Sequence, residues 1–197
     1  MRARLSLAAV LCSFALGGPG AARTADAQSW RVSQAEVRIA VPLRPGGGFE
    51  AKTEALTGTL TLATPQPVAL TGELVVDLTT IDTGIDLRNR HLREKYLEVA
   101  KPGFDKAVLS EIRLADANGE AFEGKSAFAG TLRLHGVSKA VTGTAEVRHE
   151  GTAVRVAANF AIVLTDFGVE PPEYMGVGVG SKLGIRVSLL AGHGAGK

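Results

Sequence analysis

Val68-Ala69-Leu70-Thr71-Gly72-Glu73-Leu74-Val75-Val76-Asp77-Leu78-Thr79-Thr80 decides the fold. Val68, Leu70, Gly72, Leu74, Val76 and Leu78 take every second position, and Thr71, Glu73, Asp77 and Thr79 fall between them. A period of two over this length predicts a long strand with one apolar and one polar face. Ile81-Asp82-Thr83-Gly84 ends it, and a basic stretch follows, with Arg88, Arg90, His91, Arg93 and Lys95. That stretch predicts one short helix from Leu87 to Tyr96, capped by Thr83 or Asp86, with Leu92 and Tyr96 turned together toward the sheet.

The same alternation recurs along the chain. It places Val37 and Ile39, Leu60, Phe128 and Leu132, Gly143 and Ala145, Val156, Phe160 and Ile162, and Ile185 and Val187 on one apolar face. Ser110, Ile112 and Leu114 form a shorter run of the same kind. Turn signals separate the runs, among them Pro45-Gly46-Gly47-Gly48, Asp116-Ala117-Asn118-Gly119, Gly136-Val137-Ser138-Lys139 and Glu150-Gly151. About eight amphipathic strands joined by short turns, with no second layer of helices, predict an all-β, antiparallel, up-and-down sheet. Closure into a barrel removes the exposed edges. The Gly176-Val177-Gly178-Val179-Gly180 stretch reads as a mobile loop that could act as a lid, and Ala191–Lys197 as a flexible tail.

The first 27 residues read as a cleaved export signal. Arg2 and Arg4 precede an apolar run from Leu5 to Leu16, and Ala25-Asp26-Ala27 has the small-x-small pattern of a cleavage site. The expected mature chain starts at Gln28 and is periplasmic or secreted, with residues 28–190 as one barrel domain. Cys12, the only cysteine, falls within the signal, so neither a disulfide nor a thiol nucleophile is expected in the mature chain. Removing Arg2, Arg4, Arg23 and Asp26 from 22 basic and 20 acidic residues leaves 19 of each. A near-neutral chain argues against nucleic acid as a partner. A membrane barrel would have to place the Arg, Glu and Asp of the polar face in a narrow lumen, and with aromatics at 5% it lacks aromatic girdles. A barrel with an apolar lumen is the reading that remains.

Gly58, Gly72, Gly130 and Gly143 fall on the inward face, and two readings stand for them. They keep the lumen open for a long apolar ligand, or they relieve strand bending and let Phe128 and Phe160 fill the opposite wall. In the first case the lining consists of Val37, Ile39, Leu60, Gly72, Leu74, Val76, Leu78, Phe128, Leu132, Gly143, Ala145, Val156, Phe160, Ile162, Ile185 and Val187. The rim candidates are Asp82, Arg88, His91 and Asp166. Arg88 and His91 either hold a phosphate or carbonyl head group, or pin the helix to Asp82 or Asp166. Asp166, before Phe167-Gly168, reads as an acceptor for backbone N–H groups in a tight turn. His135 has no carboxylate near it in sequence, and no two histidines have metal-ligand spacing, so no metal is expected. There is no G-x-S-x-G and no phosphate-binding loop, so no catalytic residue is assigned.

Three stretches together carry a resemblance. They are Thr80-Ile81-Asp82-Thr83-Gly84 followed by Arg88, His91 and Leu92; Leu134-His135-Gly136-Val137-Ser138-Lys139-Ala140-Val141; and Thr165-Asp166-Phe167-Gly168-Val169. In order and spacing they resemble the YceI-like family of periplasmic lipid-binding proteins, over about Trp30 to Leu190. The resemblance implies an extended, lipocalin-like barrel that holds a polyisoprenoid, an isoprenoid quinone or a related lipid as its ligand. It implies no metal and no other cofactor, and it allows a homodimer and transient membrane contact. The alternatives are an enzyme acting on a lipid in the same lumen, and a stress or structural adaptor whose lumen is filled.

Overall fold

The computed structural model describes residues 28–119, 121–174 and 176–194. The expected export signal, residues 1–27, lies outside the described residues. Among the described residues eleven strands form one sheet: β1 (Ser29–Arg44), β2 (Gly48–Thr53), β3 (Leu56–Pro65), β4 (Val68–Asp77), β5 (Lys106–Leu114), β6 (Gly124–Leu134), β7 (Val137–Glu150), β8 (Ala153–Val163), β9 (Glu173–Tyr174), β10 (Val177–Val179) and β11 (Lys182–His193). β3 to β8 pair in chain order, β8 pairs with β11, and β1 closes the ring between β11 and β3. Eight strands therefore make a closed antiparallel barrel, as the alternation predicts, with the lipocalin-like form that the family resemblance implies. β2 continues the line of β3 along β1, while β9 and β10 extend the wall beyond β11 at the C-terminal end of β1.

The apolar face points inward. Val37, Leu74, Leu132, Ile162, Ile185 and Leu189 belong to one buried cluster. Exposed ion pairs such as Arg38–Glu36 and Arg148–Glu146 lie on the other face. Two register breaks shift this alternation by one residue, as a bulge must. In β1 the pairing with β11 slips between Val32 and Gln34, so the inward set starts with Trp30 and Val32 and resumes at Val37 and Ile39. In β5 it slips around Glu111, which has a φ of 53°. The inward residues there are Ala107 and Leu109, then Ile112 and Leu114; Ser110, expected beside Ile112, does not line the interior.

The connection from β4 to β5 is long and carries the helical segment. Helix α1 (Asp86–His91) continues into a π-helical turn, Leu92–Tyr96, close to the expected Leu87–Tyr96. Neither expected cap operates: Ile85 is the N-cap residue, with no side-chain hydrogen bond. Two further expectations are corrected. Val177–Val179 is not a free loop but pairs with Leu43 and Arg44 of β1 and with β9, and Gly180 N–H donates to the Pro42 carbonyl at 2.8 Å. Ala191–His193 are not tail, because β11 runs on to pair them with Trp30 to Val32.

Candidate functional site

The barrel encloses a cavity of about 720 Å³. Trp30 and Leu43, near the two ends of β1, both line it, so it follows roughly 40 Å of extended strand. Its volume lies within the ~300–1,000 Å³ of typical small-molecule sites. The walls are Leu, Val, Ile and Ala from every barrel strand. Of the positions read from the sequence, Val37, Ile39, Leu60, Leu74, Val76, Leu78, Phe128, Leu132, Ala145, Val156, Phe160, Ile162, Ile185 and Val187 line it.

Gly72 and Gly143 do not, and the reasons differ. Gly72 has a φ of +104° beside a register break in β4, and a Cβ there would lie 2.1 Å from the Thr59 carbonyl oxygen. It serves the bend of the strand rather than the lumen. Gly143 faces two rings: a Cβ would stand 2.7 Å from both Phe128 Cε1 and Phe160 Cβ. Phe128 and Phe160 meet edge to face at 5.8 Å over it and fill that part of the wall. At Gly143 the reading in which the rings take up the space holds; Gly58 and Gly130 do not line the cavity either, since a Cβ there would lie 2.2 Å from the Glu73 carbonyl oxygen and 3.1 Å from the Ser110 carbonyl oxygen.

One end of the cavity reaches the surface between the start of α1 and the β9–β10 hairpin. Leu43, Phe49, Arg88, His91, Pro172 and Val179 line it there. Ile85, Leu87 and Val177, also lining residues, are 54%, 56% and 50% exposed and form an apolar lip. Toward the other end, the β5–β6 connection folds back over the β3–β4 turn, and Gly119 N–H donates to the Pro65 carbonyl at 2.7 Å. Trp30 lies at that end, its Nε1 buried without an acceptor among the described residues.

A polar network holds the mouth. Backbone hydrogen bonds of 2.8 and 2.9 Å couple Asp82 to Lys52 of β2. Asp82 Oδ1 accepts from Gly84 N–H at 2.8 Å and from Asn89 Nδ2 at 2.9 Å. Asn89 Oδ1 in turn accepts from the Thr83 backbone N–H at 2.8 Å and its hydroxyl at 2.6 Å. Arg88 Nη2 donates to the Thr83 carbonyl at 2.6 Å, and Arg93 Nη2 to the Ile81 carbonyl at 3.0 Å. The Arg88 guanidinium carbon also stacks 3.8 Å from the centre of the Phe49 ring. Thr83 and Asn89 are buried, and this pair carries the segment. Asn89 carries no signal of this role in the sequence, because it interrupts a basic run and follows no apolar period.

The rim candidates therefore part. Arg88 and His91 line the cavity mouth, whereas Asp82 and Asp166 do not line it. Arg88 binds a carbonyl and a ring, and neither it nor His91 pairs with Asp82 or Asp166. Asp166 is exposed, and its turn closes through backbone bonds, Gly168 N–H to the Thr165 carbonyl and Val169 N–H to the Leu164 carbonyl. His135 gains a carboxylate from far along the chain: Nε2 lies 3.2 Å from Glu98, and Nδ1 lies 3.2 Å from the Phe167 carbonyl, to which it must donate. Among the described residues no group of three His, Cys, Asp or Glu could hold a metal.

Hydrogen bonds from Asn89 and then Gly84, with the Lys52 and Arg93 charges behind them, hold the Asp82 carboxyl below the usual carboxylate range. A depressed folded value means that the ionised form supports the fold, and that this support is lost as pH falls through the folded value. Acidification below about pH 4 is therefore expected to loosen residues 82–89 before the barrel opens. Amide hydrogen exchange across a pH series reads this. Equal protection of residues 82–89 at pH 2 and pH 6, after correction for intrinsic rates, would remove Asp82 from that role.

A family model described as the YceI-like domain matches residues 30–191. No curated protein matches the chain. Several solved structures share the fold. A polyisoprenoid binding domain from Saccharophagus degradans, implicated in plant cell wall breakdown, is 17% identical over 84% of this chain and 98% of its own, with a TM-score of 0.62. Burkholderia cenocepacia BcnA is 18% identical over 79% and 95%, also at 0.62. A Campylobacter jejuni YCEI protein is 13% identical over 76% and 87%, at 0.56.

Proposed function

The chain belongs to the YceI-like family, and from that premise we propose that it carries a long-chain lipid inside its barrel. The observation behind this is the apolar cavity of about 720 Å³ that runs along β1 and opens at one lipped mouth. Each methylene moved from water into such a lumen contributes roughly 0.8 kcal/mol before ordering costs. An extended chain suits the space, since no polar side chain is needed to read its tail. A polyisoprenoid, an isoprenoid quinone or a fatty chain meets that requirement, and the S. degradans domain of the same fold is described as polyisoprenoid-binding.

The 27-residue leader, with its basic start and apolar run, directs the protein to the periplasm or outside the cell. The exposed Ile85, Leu87 and Val177 around the mouth suit brief contact with a membrane, through which a lipid enters without crossing water.

Purified protein extracted with organic solvent is expected to release one long-chain lipid per chain, identified by mass spectrometry. Trp30 is the single tryptophan and lines the cavity, so its emission should shift when stripped protein is reloaded. A converted product in the extract would favour the enzyme. Failure to find or load any lipid would favour the adaptor and end the carrier reading.

A further inference from the structure

We infer that the end of the lumen away from the mouth holds a polar subsite, in which Trp30 donates a hydrogen bond from its indole Nε1 to an uncharged carbonyl or ether oxygen at the inner end of the ligand. This rests on the carrier reading above and deepens it: burial of the chain supplies carriage, and Trp30 adds selection of what the chain ends in. Among the described residues, polar side chains line the cavity in two places. Thr83, Arg88, His91 and Tyr96 all belong to the connection between β4 and β5. Trp30 stands apart from them near the start of β1, while Leu43, near the end of that strand, lines the mouth.

An indole N–H can only donate, and a buried one normally finds an acceptor. Trp30 Nε1 is buried and meets none among the described residues. The strand partners of Trp30 are Leu60 of β3 and His193 of β11. The His193 ring stands edge-on to the indole, with 5.9 Å between ring centres. His193 Nδ1 lies 3.0 Å from the Thr152 carbonyl and so donates to it. That leaves Nε2 of the neutral ring as an acceptor, which Gln28 Nε2 already occupies at 2.9 Å. Val32, Leu62, Val154 and Ala191, which also line this end, are apolar. A ligand that ends here in hydrocarbon leaves the N–H unpaired and out of reach of water, which is unfavourable. An oxygen acceptor removes that penalty. It has to be uncharged, because no cationic side chain of the described residues lines this end and an ion would be buried without a partner. The ligand class is therefore a long chain whose leading end, the one that enters first, carries a neutral oxygen.

The test loads stripped protein with an equimolar mixture of methyl hexadecyl ether and octadecane, which differ by one oxygen in place of a methylene. Gas chromatography of the organic extract gives the bound ratio. Trp30→Phe keeps an aromatic ring and removes the donor. In that variant the ether-to-hydrocarbon ratio is expected to fall roughly tenfold to a hundredfold below that of the unaltered protein, the range for one buried donor left unpaired. Comparing the two proteins cancels the different solubilities of the probes. Trp30 is the single tryptophan, so isotope-labelled protein shows one indole N–H resonance. Its proton signal should move downfield with the ether bound and not with octadecane, a measurement that stands even if Trp30→Phe does not fold. An unmoved indole resonance with the ether bound, or an unchanged ratio in folded Trp30→Phe, would overturn the Trp30 contact and leave chain carriage intact. Failure of both probes to load would overturn the contact together with the carrier reading.

Discussion

Phe167→Ala is expected to lower stability by about 3–5 kcal/mol, the usual cost of emptying a fully buried ring site. For a domain of this size that is a fall in Tm of roughly 6–20 °C. Phe167 is 2% exposed and the largest fully buried side chain among the described residues. It ends the 3-10 turn Leu164–Phe167, after which Gly168 takes a left-handed φ of 71° and returns the chain to the buried Val169. Its ring belongs to the same buried cluster as Leu78, Ile81 and Leu97, which back the mouth segment. Its carbonyl accepts from His135, whose ring lies 4.3 Å from that of Phe104 and whose Nε2 faces Glu98. The turn after β8, the β6–β7 hairpin and the chain behind the helix thus meet at one residue. Thermal unfolding followed by circular dichroism measures the effect. A Tm within about 2 °C of the unaltered protein would mean that the site collapses around the smaller side chain and that the mouth needs no such anchor.

The barrel was legible because a half-buried strand has a period of two, and Val68–Thr80 shows that period without interruption. Most of the lining followed from the same alternation. The exceptions have definite physical causes. A bulge leaves no strong mark in composition, so the slip at Ser33 hid Trp30 and Val32, and the slip at Glu111 put Ser110 on the wrong face. A glycine on an inward position reports only that a side chain is missing. Whether the space is open, one of the two readings for Gly72 and Gly143, depends on what faces it from the neighbouring strands. The mouth was less legible than the wall. Asn89 and Thr83 organise it through contacts six residues apart, and His135 meets Glu98 across 37 residues; neither spacing belongs to a local pattern.

Ala158→Trp is expected to reduce loading of a long-chain lipid at least tenfold while leaving Tm within a few degrees. Ala158 sits in β8 between Ala145 of β7 and Val187 of β11, and it lines the open part of the cavity. An indole there takes space that several methylenes of a ligand would use. Losing even two buried methylenes costs about 1.6 kcal/mol, slightly more than a factor of ten. The indole enters volume that is already empty, so it need not displace the barrel's own side chains. Gly143→Leu supplies the contrast. It too enlarges a small inward residue, but a Cβ at Gly143 would stand 2.3 Å from the Asn159 carbonyl oxygen and against both phenylalanine rings. That substitution should lower stability rather than act on loading directly, because it forces backbone and packed rings apart. Lipid titration followed by fluorescence, paired with thermal unfolding of each variant, separates the two effects. Unchanged loading in a stably folded Ala158→Trp protein would place the lipid somewhere other than the lumen.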